Sequence, residues 1–282
     1  MSNPVFSNSA IFGEPRRGRG TVVQPNPYTS TGGATGAAGT LNASTLEQMY
    51  GAPAATTRET GRMTYDDVIM KTGGLLALLV VVAAATWYVA PGLWPIGMVV
   101  GLVLGLVNAF KKSPSPALIV AYTVAEGVFL GGISLVFQSM TFDGNAVQPI
   151  VLQAILGTLT TFGAALFLFR SGKVRVTPKF TRWLMIAMVG YLAFSLVNFG
   201  LSFFMASSGF GPLREGPMGM LVGLFAVGLA AASLIMDFDS IKRGVEQGVP
   251  AKFAWSAAFG LIVTLVWLYL EILRLLAIFN RE

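Results

Sequence analysis

Apolar residues along this chain fall into seven long runs: Gly73–Ala90, Trp94–Phe110, Ala117–Met140, Ile150–Phe169, Trp183–Met205, Met218–Met236 and Phe253–Phe279. Each is close to the ~20 residues that an α-helix needs to cross about 30 Å of hydrocarbon. Proline marks most of the breaks, at Pro91 and Pro95, Pro114 and Pro116, Pro178, Pro212 and Pro217, and Pro250. Connections this short make consecutive helices antiparallel neighbours. The pattern therefore predicts an all-α integral membrane protein, a bundle of seven transmembrane helices over residues 63–282. Thr64 precedes Tyr65-Asp66-Asp67 and suits an N-cap, with acids placed at the positive end of the helix dipole.

Residues 1–62 read differently. They are rich in Gly, Ala, Thr, Ser, Asn and Pro, with Arg16-Arg17-Gly18-Arg19 as the one charge cluster. Such a segment buries too little apolar surface to offset chain entropy, which predicts a disordered tail. No apolar stretch follows the arginines as a signal peptide would require. Thr45–Tyr50 could form a short amphipathic turn, for docking or simply as linker.

Charge sets the orientation. Lys111 and Lys112, the group from Arg170 to Arg182, and Lys242, Arg243 and Lys252 share one side with the tail's basic residues. Only Arg214, Arg274 and Arg281 fall on the other. The positive-inside rule then predicts a cytoplasmic N-terminus and an outside C-terminus. The net charge of +6 is spread over loops on one membrane face, which argues against nucleic acid as a partner. Composition agrees, at 54% hydrophobic and 11% charged residues, against about 25% charged in soluble domains.

There is no cysteine and no histidine. That excludes disulfides, zinc sites built on those ligands, and Ser-His-Asp or Cys-His catalysis. Any response to pH near neutrality must come from other groups, most simply carboxylates in unusual surroundings. No phosphate-binding glycine loop is present. An aspartyl intramembrane protease is disfavoured as well, since there is no Gly-x-Gly-Asp pattern. No enzymatic activity and no cofactor are expected.

The candidate chemistry lies in acids at membrane depth, which are costly enough to be functional hypotheses by default. Asp237 and Asp239 end the sixth run. Two residues apart on a helix, they face opposite ways, so Asp237 suits the interior and Asp239 the water with Lys242 or Arg243. The bland reading is an ordinary interfacial helix end. Glu271, in Leu268-Tyr269-Leu270-Glu271, lies about 27 Å along a straight helix from Lys252. It meets Asp237 only if the last helix starts late, tilts or begins outside the membrane. A local pair with Arg274 at i+3 is the alternative, and the two are compatible. Glu126 sits about ten residues into the third run with no basic residue at i±3 or i±4. It must be protonated, hydrogen-bonded or facing a wet cavity. Glycines at 97, 101 and 105, and at 219, 223 and 228, suit close helix packing.

Seven runs, Met236-Asp237-Phe238-Asp239-Ser240-Ile241 in the sixth and Leu268-Tyr269-Leu270-Glu271 in the seventh resemble the Bax inhibitor / YccA-like family, over about Met63 to the C-terminus. The resemblance implies a multi-pass protein of a bacterial plasma membrane that acts as a pH-sensitive calcium leak, with calcium as transported ion. It places the gating carboxylates, and a weak calcium site, at Asp237 and Glu271, and a supporting basic group near Lys111-Lys112. Glu stands at 271 where the family pattern has Asp, and the stretch between the two acids is longer than in that pattern. Two carboxylates sharing a proton would make a latch that deprotonation opens. Some relatives instead restrain a membrane protease, so the alternative is a non-conducting regulator bound to such a partner.

Overall fold

The computed structural model describes residues 61–139, 149–174, 176–205 and 211–280. The tail expectations, including the turn at Thr45–Tyr50, lie outside these residues, as do Met140, Arg175 and Arg281.

Among the described residues, seven helices follow one another: α1 (Tyr65–Val89), α2 (Trp94–Phe110), α3 (Pro116–Ser139), α4 (Ile150–Arg170), α5 (Pro178–Leu201), α6 (Gly216–Glu246) and α7 (Ala254–Phe279). All seven have the length and apolarity of membrane spans. Single 3₁₀ turns, Pro91–Leu93 and Ala251–Phe253, lead into α2 and α7.

Local chemistry explains the helix starts. Thr64 Oγ1 accepts from Asp67 N–H at 3.0 Å, and Asp67 Oδ2 accepts from Thr64 N–H at 3.3 Å, a reciprocal capping box. Pro116 and Pro178 stand at the first position of α3 and α5, where the missing N–H costs nothing. The helix boundaries depart from the apolar runs. Helix α1 begins at Tyr65, ahead of Gly73, because the capping box carries the helix into polar sequence. Helix α6 continues past Met236 to Glu246, so Asp237 and Asp239 lie inside a helix. Ion pairs from Arg243 to Asp239 (2.8 Å) and Lys242 to Glu246 (3.8 Å) accompany that extension.

Helix α7 is the axis of packing. It lies against α6, α4, α1 and α3, and 67% of its apolar stretch is buried. The corresponding share is 11% in both α2 and α5. Leu261, Ile262, Leu265, Leu268, Ile272 and Leu273 form its buried side. Helix α2 packs chiefly on α3 and α5 chiefly on α6. The approach to α1 is fastened to the α6–α7 connection: Met63 N–H donates to Val249 O at 2.7 Å and Ala251 N–H to Gly61 O at 2.8 Å. Gly248 reverses the chain there with φ +63°, in the left-handed region that favours glycine.

Candidate functional site

Asp237 turns from α6 toward α7, as its place beside the apolar run predicts. There its Oδ2 lies 2.7 Å from Thr264 Oγ1, which also lies 3.1 Å from Gly260 O. A hydroxyl has one proton to give. With Asp237 ionised, Thr264 donates to the carboxylate. With Asp237 neutral, the acid can donate to Thr264, which then donates to Gly260 O. Thr264 thus serves the acid in either protonation state. Asp239 faces away and pairs with Arg243.

Glu271 lies seven residues beyond Thr264, two turns or about 10 Å further along α7. The structure does not bring Asp237 and Glu271 together. Helix α7 starts at Ala254, close to the first apolar residue, so the point facing Asp237 is Thr264. A latch by direct contact of the two acids is absent from this arrangement. Glu271 instead occupies a dense polar cluster near the opposite end of the bundle. Arg274 Nη1 donates to both carboxylate oxygens at 3.0 Å, the local pair that the i+3 spacing suggested. The Tyr191 hydroxyl and Trp267 Nε1 (3.3 Å) donate to Oε1.

The residue that completes this cluster is Arg214, from the connection between α5 and α6. Its guanidinium is 3.7 Å from Glu271 Oε1, and its Nη2 donates to Tyr191 Oη at 2.7 Å and Ser195 Oγ at 2.8 Å. It also lies over the rings of Tyr191 (5.1 Å) and Phe194 (5.5 Å). Only 5% of Arg214 is exposed. Sequence reasoning left Arg214 in an outer loop and passed over Tyr191, Ser195, Thr264 and Trp267. The only signals were a basic residue on the side poor in them, and for Trp267 its i−4 spacing from Glu271.

Glu126 is buried where α3 meets α2. Its Oε1 sits opposite Gly101, where an added Cβ would lie 2.8 Å away, and Tyr122 stands one turn earlier on the same helix, its ring facing Gly105. Between the levels of the acids, Ser134 of α3 and Tyr269 of α7 share a hydrogen bond of 2.7 Å. Lys111 and Lys112 are exposed after α2 and make no ion pair with Asp237 or Glu271. Among the described residues, no cluster of three or more metal-ligating His, Cys, Asp or Glu side chains occurs.

These features define a multi-pass integral membrane protein with acids held between its helices. The family model described as Bax inhibitor 1 like matches residues 3–281, and the chain belongs to that family. No curated protein matches it.

Proposed function

We propose that the protein is a proton-controlled cation leak, with calcium as the cation, in which Asp237 and Glu271 act as two separate stations. It would lie in a bacterial plasma membrane with its N-terminus inside. Asp237, 2.7 Å from Thr264, carries the reading. A carboxyl between two core helices with a hydroxyl able to reverse its role can gain or lose a proton while keeping a hydrogen bond. Its charge would alternate without dismantling the α6–α7 contact.

Glu271 differs, since guanidinium groups on two sides of it set positive charge against the passage of a cation. It serves as the closed end, and Asp237 as the proton-sensitive end nearer the lysine-rich face. Hard carboxylate and hydroxyl oxygens suit calcium, while so few ligands suit transit better than tight retention. Family membership supports the class of protein, and the leak is the reading built on it.

The test is calcium uptake into proteoliposomes between about pH 5.5 and 8, for wild type, Asp237→Asn and Glu271→Gln, over the range in which displaced carboxylates titrate. The reading expects pH-dependent flux in wild type and a flattened dependence in Asp237→Asn. Absence of flux at every pH from correctly inserted protein would remove the leak and leave a non-conducting regulator of a membrane partner.

A further inference from the structure

We propose that the seam between α2 and α3 is a proton-binding site whose carboxyl is Glu126, independent of Asp237 and Glu271. This goes beyond the leak reading and does not rest on it.

Glu126 lies ten residues into α3, about 15 Å along the axis and near the middle of a hydrocarbon layer about 30 Å thick. It is 9% exposed. The seam is built around it: Phe129 N would lie 2.6 Å from a Cβ at Gly97, Glu126 Oε1 2.8 Å from one at Gly101, and the Tyr122 ring 3.3 Å from one at Gly105. One glycine face thus receives Tyr122, Glu126 and Phe129 of α3, and the carboxyl takes space that any other residue at 101 would contest.

Among the described residues, the surroundings offer no counter-charge. Helix α2 contains no charged residue, and its Asn108 is committed to the carbonyls of Leu104 and Leu118. The charges of α1 are Asp66, Asp67 and Lys71, all in its first two turns, with Lys71 paired to Asp67. Helix α4 carries only Arg170, at its last position. Helix α7 brings Phe259 against Tyr122, while its Glu271 and Arg274 engage each other two-thirds of the way along or beyond. The titratable neighbour among the described residues is therefore Tyr122, one turn earlier on the same face of α3.

Chemistry then selects the ligand. A metal ion needs about six oxygens, and a carboxyl with one phenol cannot supply them. A neutral acid needs a donor and an acceptor, and Tyr122 with Glu126 can meet that need between themselves. The proton is the ligand that fits. The contrast with the other acids is direct: Glu271 has guanidinium partners, and Asp237 has a hydroxyl backed by a carbonyl.

A lipid-soluble carbodiimide tests this on the full chain in liposomes. The acid proton passes to a carbodiimide nitrogen while the carboxyl oxygen bonds to the central carbon, so the adduct forms only from a protonated carboxyl and nothing leaves. Peptide mass spectrometry should place an adduct on Glu126 that increases as pH falls, disappears in Glu126→Gln, and persists in Asp237→Asn and Glu271→Gln. Because access to the seam also controls labelling, infrared difference spectra across the same pH range provide a second readout. The protonated-carboxyl band should lose one component in Glu126→Gln, and Gly101→Ala should shift that component's titration while sparing the rest. Should Glu126→Gln fail to fold, Glu126→Asp must move the same component. An infrared band unchanged by every one of these substitutions, or an adduct found only on Asp237 or Glu271, overturns the proposal.

Discussion

Helices α2 and α5 bury equally little of their apolar stretches, yet they are attached to the bundle by different physics. Helix α2 buries Gly97 and Gly101 and offers α3 a groove of backbone, filled by Tyr122, Glu126 and Phe129. Helix α5 has glycines too, but nothing lies within 4 Å of a Cβ added at Gly190 or Gly200. Its ties are polar: Tyr191 to Glu271, Tyr191 and Ser195 to Arg214, Asn198 to Leu213 N–H at 2.9 Å, and Met188 Sδ to the Ser233 hydroxyl at 3.4 Å. Lipid tails are as apolar as leucine, so burial alone does not drive helices together in a bilayer. One helix answers with close approach and dispersion, the other with hydrogen bonds and charge. The same composition of residue can therefore be essential on one helix and idle on the other.

The comparison can be broken most severely at Arg214. Replacing Arg214 with Leu leaves Glu271 paired with Arg274 and removes the guanidinium donor that Tyr191 and Ser195 share. The expected loss is about 3 kcal/mol, the low end for breaking a buried ion pair, read from denaturant unfolding in detergent. Adding Glu271→Leu to that variant should cost less than Glu271→Leu costs in the wild type, because the contact between Arg214 and Glu271 is already gone. If the double variant is as unstable as the sum of both singles, the cluster is not held by their pairing.

A smaller effect is expected at Gly97→Ala. Its Cβ would lie 2.6 Å from the Phe129 backbone nitrogen, which cannot move aside as a side chain can. Overpacking of this kind costs about 1–3 kcal/mol, and the thermal midpoint in detergent should fall. Next comes Tyr191→Phe, which keeps the ring over Arg214 and removes the hydroxyl shared by Arg214 and Glu271. Hydrogen bonds between membrane helices average about 0.6 kcal/mol and reach about 1.7, and this one joins three elements, so the upper part of that range applies. Gly190→Ala should do least. With open space around it, the substitution should be neutral or stabilise by up to about 1 kcal/mol through helix propensity. A Gly190 effect as large as that at Gly97 would show that the two helices are attached alike.

Much of the frame was legible because it is local. Seven apolar runs, proline breaks and the Thr64 cap concern residues within a few positions of one another, and each became the expected helix or cap. The i+3 spacing of Glu271 and Arg274 and the i+4 glycines of α2 were readable for the same reason. Gly228 shows the limit of that reading, since it shares a helix with Gly219 and Gly223 but faces nothing within 4 Å. Whether a small residue is a contact depends on which face the partner helix occupies.

The sequence by itself determined seven stretches long and apolar enough to cross a membrane, and it singled out Asp237, Glu271 and Glu126 as acids in or beside them. Hydropathy and helical rise are properties of neighbouring residues, so they need no fold to be read. Only the tertiary structure decided the company those acids keep. Thr264 faces Asp237 because of where α7 begins relative to α6, and Arg214 reaches Glu271 because the α5–α6 connection folds inward. Axial register between helices is set by packing and by connection geometry, and a shift of two turns, about 10 Å, exchanges a carboxylate partner for a hydroxyl.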